Sequence, residues 1–306
     1  MASILVTGGR GFIGTNLVRE LRSRGHDVWT SDIIHGEDPQ HLRADVAAYE
    51  QMATIMREHA FDYVYHLAAE YGRWNGEDHY DNLWRTNTIG TKNILRLQEE
   101  HGFRQVCFSS AEVYGDYEGV MSEDVMDTVA IKQMNDYACS KWVAELQCIN
   151  SAIMFGTETV RVRPVNCYGP HEHYSRYRGV IPIFVYRSLV GEPFDVYRGH
   201  QRIFDYVDDT VRTLANIADN FIPGEVYNIG SREDWAIGIE DLADIVLAAT
   251  GGRRELARLQ DGEKFTTHVK RIDFSKSRRD LAHEPKIDLE EGVRRYVAWM
   301  RKTYEL

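Results

Sequence analysis

Three glycines at intervals of three residues stand near the start of the chain, between two segments of different periodicity. Residues 3–6 form a short apolar run typical of a buried strand, and apolar residues recur at helical spacing over residues 12–21. Gly8 permits a tight turn, Gly11 lets the backbone approach a pyrophosphate, and Gly14 allows a helix to pack closely on a strand. Because a helix N-terminus favours negative charge, this pattern predicts a strand–turn–helix unit that binds a dinucleotide.

A second predicted strand, residues 27–31, ends at Asp32. An acid about twenty residues after such glycines can accept hydrogen bonds from the adenosine ribose. No arginine or lysine stands in residues 33–36 to bind a 2′-phosphate. We therefore expect NAD as the cofactor, in preference to NADP.

Strand-like and helix-like segments alternate along the first half of the chain. Strands are predicted at residues 62–67, 104–109 and 159–162, and long helices near 78–101 and 134–155. This alternation predicts an α/β fold with a doubly wound parallel sheet of the Rossmann type.

The composition changes after Pro164, where Pro, Gly, His and Tyr become frequent. We expect a NAD-binding Rossmann domain over residues 1–165. Later stretches of the chain near 203–229 are expected to rejoin the sheet of this domain. Residues 166–306 are expected to form mainly a smaller C-terminal α/β lobe that binds the substrate.

Charge and cysteine usage restrict the class of protein. The 306 residues carry a net charge of −11 without a basic cluster, which argues against a nucleic-acid partner. The four cysteines lack metal-type spacing, so we expect reduced thiols and no metal site. The chain starts directly with a predicted strand, and no apolar run is long enough to span a membrane. We therefore expect a cytoplasmic protein that does not bind a membrane.

Tyr137 and Lys141 stand four residues apart on a predicted helix and so share one face. A lysine ammonium close to a phenol favours the phenolate, so Tyr137 could act as a base nearer neutral pH. Ser110, just beyond a predicted strand, could hydrogen-bond the same substrate hydroxyl. All three are expected at the carboxyl edge of the sheet, where open α/β folds bind ligands.

An ordered set of motifs gives the chain a family resemblance. The motifs are Gly8-x-x-Gly11-x-x-Gly14, His66-Leu67-Ala68-Ala69, Asn87 with Gly90-Thr91, Ser109-Ser110-Ala111-Glu112-Val113-Tyr114-Gly115, Tyr137-x-x-Ser140-Lys141 and Asn166-x-Tyr168-Gly169-Pro170. Over nearly its whole length the chain resembles the extended short-chain dehydrogenase/reductases that modify nucleotide sugars. These include epimerases, 4,6-dehydratases and uronic acid decarboxylases.

The resemblance implies roles for particular residues. Tyr137 would be the catalytic base, Lys141 its electrostatic partner, Ser110 the third catalytic member, and Glu112 an additional proton-transfer group. The implied cofactor contacts are Gly8, Gly11, Phe12, Ile13, Gly14, Asp32, Asp45, Val46, Leu67, Ala68, Ala69, Asn87, Tyr137 and Lys141. The implied contacts to the nucleotide-sugar substrate are Arg73, Ser110, Asn166, Arg202 and Arg271.

The three residues that begin at Ser110 bear on the reaction. Related dehydratases carry Thr-Asp-Glu there, galactose-type 4-epimerases Ser-Ala and a small polar residue, and glucuronic acid decarboxylases Thr-Ser-Glu. Ser110-Ala111-Glu112 matches none of these completely. In mannose 3,5-epimerases the position of Glu112 holds a cysteine that transfers protons at C3 and C5.

We expect an epimerase that acts through a 4-keto intermediate, at C4 or at C3/C5. A nucleotide-uronic acid decarboxylase or a 4,6-dehydratase is the alternative. The intact Ser110, Tyr137 and Lys141 argue against a non-catalytic NAD-binding protein.

Two segments depart from the family pattern. Residues 70–76 replace a usual Ser-Pro, and their aromatic and charged side chains, Arg73 among them, are expected to contact the sugar. Residues 259–263 lack the arginine of a usual Arg-Pro-Gly-Asp stretch, for which Arg271 could compensate.

The two long predicted helices carry apolar residues on more than one face: Trp84, Leu95, Trp142, Leu146 and Ile149. One face must pack on the sheet, so the other predicts a homodimer.

Overall fold

The computed structural model describes residues 1–264 and 266–306. Its strands are β1 Ser3–Thr7, β2 Asp27–Asp32, β3 His41–Arg43, β4 Tyr63–His66, β5 Arg104–Phe108, β6 Val120–Met121, β7 Thr159–Pro164, β8 Cys167–Tyr168, β9 Phe194–Tyr197, β10 Gln201–Arg202, β11 Asp205–Tyr206, β12 Val226–Ile229, β13 Ile237–Gly238, β14 Ala257–Gln260 and β15 Arg271–Ile272.

The α-helices are α1 Phe12–Ser23, α2 Tyr49–Glu58, α3 Arg73–Asp78, α4 Tyr80–Trp84, α5 Thr91–His101, α6 Val125–Thr128, α7 Asp136–Phe155, α8 Val180–Val190, α9 Val207–Asn216, α10 Ile239–Thr250, α11 Ser275–Leu281 and α12 Leu289–Tyr304. A π-helical turn spans Arg85–Gly90, and 3₁₀ turns span Ala111–Tyr114, Glu233–Trp235 and Arg254–Leu256.

Seven parallel strands form the central sheet in the order β12-β7-β5-β4-β1-β2-β3. Successive side chains of β1 point to opposite faces of the sheet, as they do along any strand. Ile4 and Val6 pack in a core with residues of α1 and α9, whereas Leu5 packs with residues of α2 and α5. Helices therefore cover both faces, and the predicted doubly wound Rossmann fold is confirmed.

A second apolar core lies in the C-terminal part of the chain. It is built from α8, α10, α12 and the β9/β14 pair, with Phe184, Leu242, Val246 and Tyr296 among its buried members. Within this part of the chain, α9 and β12 return to the sheet side of the molecule. The division near residue 165 remains a prediction.

The long helix predicted near residues 78–101 forms over Tyr80–His101, with a π-helical turn in its middle. The segment is divided into α4, the π-helical turn and α5. The turn carries Asn87, whose buried side chain binds the backbone of Glu70 on a different segment. Gly90 lets the turn approach Val46, because a Cβ there would lie 2.7 Å from Val46 Cγ2.

The other long helix, α7, forms at the predicted place. Asn135 caps its N-terminus by accepting a hydrogen bond from the N–H of Ala138 at 2.8 Å. Gly156 ends the helix in the left-handed conformation, with φ of 71°. This helix presents Tyr137 and Lys141 to the carboxyl edge of the sheet.

Candidate active site

The turn between β1 and α1 forms a cradle in which no side chain fits. Gly8 has φ of +67°, and a Cβ there would lie 2.7 Å from the backbone nitrogen of Ala68. A Cβ on Gly14 would lie 2.2 Å from the carbonyl oxygen of Gly8. Gly11 occupies the N-cap position of α1. The helix N-terminus and the open backbone fit the pyrophosphate of a dinucleotide.

Asp32 is held rigidly at the carboxyl end of β2. Its two carboxylate oxygens accept hydrogen bonds from the N–H of Arg10 at 3.0 Å and of Ile34 at 3.2 Å. Asp45 accepts one from the N–H of Ala47 at 2.8 Å. Both acids line the cleft, where ribose and adenine groups can meet them.

One cleft of about 860 Å³ runs along the carboxyl edge of the sheet toward the C-terminal part of the chain. It brings together most of the residues singled out in the sequence: Gly8, Gly11, Phe12, Ile13, Gly14, Asp32, Asp45, Val46, Leu67, Ala68, Ala69, Arg73, Ser110, Glu112, Tyr137, Lys141, Asn166 and Arg202. Asn87 and Arg271 do not line it. Asn87 contacts Glu70 from behind, and Arg271 is exposed on β15.

Tyr137 and Ser110 meet on one wall of the cleft. The Ser110 side chain hydrogen-bonds the Tyr137 phenol and also accepts the N–H of Glu112 at 3.2 Å. Burial raises the pKa of Tyr137 to about 12, although the Ser110 hydrogen bond and Arg178 oppose this shift. Ser110 caps the 3₁₀ turn Ala111–Tyr114, and this local geometry places Glu112 beside it.

The Lys141 ammonium contacts the backbone in this structure, and its role as the electrostatic partner of Tyr137 remains a prediction. Its ammonium donates a hydrogen bond to the carbonyl oxygen of Phe108 at 2.8 Å. Burial lowers the pKa of Lys141 to about 8, and Glu145 among its neighbours opposes the shift. In this structure the ammonium is therefore held at the end of β5, still on the cleft wall.

Glu112, which lines the cleft, forms an ion pair with the buried Lys270 behind it. The two side chains are 24% and 5% exposed, respectively. Burial would raise the pKa of Glu112, but Lys270, Arg73 and Arg202 outweigh burial, so the pKa is lowered. Glu112 is thus an anion surrounded by three cations.

Sequence reasoning missed Lys270 and named its neighbour Arg271. In β15, Arg271 pairs with Val120 and its side chain is exposed, so it cannot compensate for the missing phosphate arginine from this position. The sequence contains the basic pair Lys270-Arg271, but no local pattern indicates which of the two side chains is buried.

The other two predicted substrate arginines, Arg73 and Arg202, are both engaged with protein groups. Arg73 pairs with Glu263 at 2.6 Å and also donates to the carbonyl of Lys264. Arg202 is buried, and its Nη1 and Nη2 atoms donate to the backbone carbonyls of Gln201, Thr267 and His268 and to the Thr266 hydroxyl.

Asn166 adopts φ of 40° and donates its amide to the carbonyl of Ile203 at 2.8 Å. Its side chain therefore stays at the boundary between β7 and the C-terminal lobe. Tyr71, from the aromatic segment 70–76 that the sequence had indicated, also lines the cleft. Glu172 and Arg178 line it as well, although no sequence motif had indicated them.

Among residues 1–264 and 266–306, no group of His, Cys, Asp and Glu side chains could hold a metal ion. No helix in that described part is long and apolar enough to cross a membrane.

Several known proteins are similar to this chain in sequence or in fold. The chain is 29% identical over 317 residues to UDP-N-acetyl-alpha-D-glucosaminuronate decarboxylase of Bacillus cytotoxicus, covering 97% of each chain. The structure of UDP-glucose 4-epimerase from Thermotoga maritima, with UDP-glucose, matches with a TM-score of 0.89 at 28% identity over 99% of each chain. The dTDP-glucose 4,6-dehydratase of Streptomyces venezuelae, with NAD bound, matches with a TM-score of 0.88 at 26% identity, over 99% of this chain and 98% of that one.

These relatives and the glycine cradle agree on the cofactor, which is NAD. Residues 4–230 match the description "NAD dependent epimerase/dehydratase family". The match spans well over half of the chain, and together with the seven-stranded sheet and its cleft it shows that the chain belongs to the NAD-dependent epimerase/dehydratase family of enzymes, whose relatives act on nucleotide sugars.

Proposed function

We propose that this enzyme epimerises a nucleotide sugar through a 4-keto intermediate. The observation that carries the proposal is the meeting of Ser110, Tyr137 and an anionic Glu112 on one wall of the cleft. NAD, when bound, accepts the hydride from C4 of the sugar and returns it, so that it is not consumed. The protein must therefore supply the proton transfers and hold the sugar.

Tyr137 is proposed to accept the proton of the C4 hydroxyl, with Ser110 hydrogen-bonded to both the phenol and the substrate oxygen. Because burial raises the pKa of Tyr137 to about 12, the phenolate forms only with help from Ser110 and nearby positive charge. Returning the hydride to the other face of C4 inverts that carbon.

Glu112 extends this chemistry to the carbons beside C4. A 4-keto group acidifies the C–H bonds at C3 and C5, so a carboxylate within reach can remove a proton there. Lys270 keeps Glu112 free of a proton before the transfer, although the lowered pKa also makes the carboxylate a weaker base. We therefore favour a role for Glu112 at C3 or C5 over simple C4 inversion alone.

The test is incubation with a panel of UDP-, GDP-, CDP- and dTDP-sugars in heavy water, with products identified by NMR. Deuterium at C3 or C5 is expected in the wild type. Glu112→Gln should retain the transient NADH absorbance of C4 oxidation and lose the deuterium. Glu118→Gln, an exposed glutamate on the same segment, is the matched control and should behave as wild type. Unaltered deuterium uptake in Glu112→Gln would leave only C4 epimerisation.

A second candidate is decarboxylation of a nucleotide-linked uronic acid. Three cations, Arg73, Arg202 and Lys270, surround Glu112 and could receive a sugar carboxylate. The decarboxylase from Bacillus cytotoxicus, similar over nearly the whole chain, favours the same reading. Release of carbon dioxide from a nucleotide glucuronate, without a C4 epimer, would select this activity. Dehydration is disfavoured because Ala111 stands where related dehydratases carry an acid.

We also propose that the enzyme is a homodimer through α5 and α7. Leu146, Ile153, Met154 and Phe155 of α7 are exposed, and Ile153 is 78% exposed. Leu95, which the sequence pattern had assigned to the spare apolar face, is instead buried against Cys107 and Cys148. The remaining exposed apolar residues still form a face that a second copy could cover.

A further inference from the structure

Two buried polar atoms near Tyr137 have no hydrogen-bond partner among the described residues. They are Oε2 of Glu172 and Nε of Arg178. Glu172 is only 5% exposed, and both residues line the cleft. Buried polar atoms in native proteins are nearly always paired, so each such exception calls for an explanation. A polar group of a ligand in the cleft provides one, once a small rotation of either side chain turns these protein-covered atoms toward it.

Arg178 and Glu172 are held beside each other and beside a fixed aromatic ring. Arg178 Nη1 lies 3.9 Å from Glu172 Oε1, and the guanidinium centre lies 3.7 Å from the centre of the Tyr71 ring. Stacking on an aromatic face orients the planar guanidinium. The Arg178 side chain is 21% exposed, so it reaches solvent only through the cleft side.

Tyr71 is fixed from behind by Asn87 and Glu70. Asn87 accepts the N–H of Glu70 at 2.8 Å and donates to its carbonyl at 3.0 Å. Asn75 donates to the carbonyl of Tyr71 at 3.0 Å, and Asn82 donates to the Glu70 carboxylate. These bonds fix the backbone of Glu70 and Tyr71, from which the Tyr71 ring extends.

The segment that carries Arg178 is tied to the same region from the other side. The Tyr177 hydroxyl donates to Asp78 at 2.8 Å, and Gly72 packs so closely that a Cβ would lie 2.7 Å from the Tyr177 carbonyl oxygen. Arg178 and Glu172 are therefore positioned before any substrate arrives, which reduces the entropic cost of binding.

We propose that Arg178 and Glu172 bind one neutral hydroxyl of the sugar, at C3 or at C6, on either side of C4, and thereby select which sugar the enzyme accepts. A hydroxyl both donates and accepts, so one group can donate to Glu172 Oε2 and accept from Arg178 Nε. A carboxylate or phosphate only accepts, and it would lie against Glu172. This inference rests on the proposed function, because it places the sugar next to Tyr137.

The test measures how much the sugar adds to nucleotide binding in the NAD-loaded enzyme. Calorimetry compares each nucleoside diphosphate with the corresponding nucleotide glucose, for the wild type, Arg178→Lys and Glu172→Gln. Both variants should weaken nucleotide-glucose binding about tenfold, since a charge-assisted hydrogen bond is lost or weakened, and leave nucleoside diphosphate binding unchanged. Arg198→Lys, an exposed arginine of the same lobe, is the control.

Deoxy sugars identify the hydroxyl. Either the 3-deoxy or the 6-deoxy analogue should bind wild type about tenfold more weakly, with no further loss in Arg178→Lys. If the binding losses from the deoxy analogue and from Arg178→Lys add, the inference is overturned. It is also overturned if the sugar adds as much affinity in the variants as in the wild type. Both results leave the proposed epimerisation intact. Failure of every nucleotide sugar to bind would overturn both. Because Arg178 is partly exposed, its lysine variant remains informative even if Glu172→Gln fails to fold.

Discussion

Breaking the Glu112–Lys270 pair should reveal its strength through a double-mutant cycle. The variants are Glu112→Gln, Lys270→Met and the double variant. Two unit charges about 4 Å apart attract by about 4 kcal/mol at an effective dielectric constant of about 20. Part of this is offset by the cost of removing water from Lys270, whose side chain is 5% exposed. We expect a net coupling free energy of about 2 kcal/mol.

The sign of the pH dependence follows from Glu112. Its folded-state pKa is lowered from the usual 4.5, because Lys270, Arg73 and Arg202 outweigh burial. Its contribution to the free energy of unfolding is therefore complete above pH 4.5 and is lost as the pH falls through the lowered folded-state value. The coupling should persist at pH 7 and fade in acid.

Urea unfolding followed by circular dichroism gives the four free energies, provided that the slope against urea concentration is the same for all four proteins. The exposed pair Glu50–Arg57, with side chains 82% and 59% exposed, serves as the control and should show little coupling. A Glu112–Lys270 coupling no larger than that of the control, or one that is unchanged in acid, would refute the ion pair as the cause of the lowered pKa.

Four further outcomes are expected. Tyr137→Phe should keep the fold and bound NAD and lose about 10² to 10⁴ in rate, as measured by single-turnover kinetics; a wild-type rate would contradict its role as base. The enzyme should bind NAD more tightly than NADP, because the fixed carboxylate of Asp32 repels a 2′-phosphate; equal affinities by calorimetry would refute this. Burial raises the pKa of Asp205 from 3.8 to about 8, so the folded state alone holds this proton between those values. The group should thus lower the free energy of unfolding by about 1.4 kcal/mol per pH unit as the pH rises through that window, and Asp205→Asn should remove this component; an identical slope in the variant would contradict the assignment. Light scattering should give a dimer, and Ile153→Glu should weaken it.

Sequence patterns predicted those secondary-structure elements that are determined by residues close to them in the sequence. The strand and helix around Gly8 and Gly14 form as expected, because the glycines alone permit the close approaches to Ala68 and within the turn. The helix α7 forms as expected between Asn135 and Gly156, which stop it at both ends. Each of these determinants lies within a few residues of the structure that it specifies.

The remaining features depend on contacts between distant residues. The π-helical turn at Arg85–Gly90 carries Asn87, which binds Glu70, a contact that helical periodicity does not encode. Lys270 lies 158 residues from Glu112, and its neighbour Arg271 belongs to a short strand that turns its side chain outward. Neighbouring residues of an extended segment face opposite ways, so an error of one position exchanges a cleft residue for a surface residue.

The ion pairs of the cleft also constrain how it can accept a nucleotide diphosphate. Arg202 already uses both terminal nitrogens on protein acceptors, so it cannot offer a phosphate the two parallel hydrogen bonds that an arginine fork usually makes. Arg73 makes fewer bonds, one from Nη1 to the Lys264 carbonyl and one from Nη2 to Glu263. A diphosphate that binds Arg73 must therefore displace Glu263, and the positive charge of Arg202 can assist only at longer range. The segment 259–263, which lacks the arginine of the usual Arg-Pro-Gly-Asp stretch, instead holds a carboxylate against Arg73, and substrate affinity depends on how readily that carboxylate gives way.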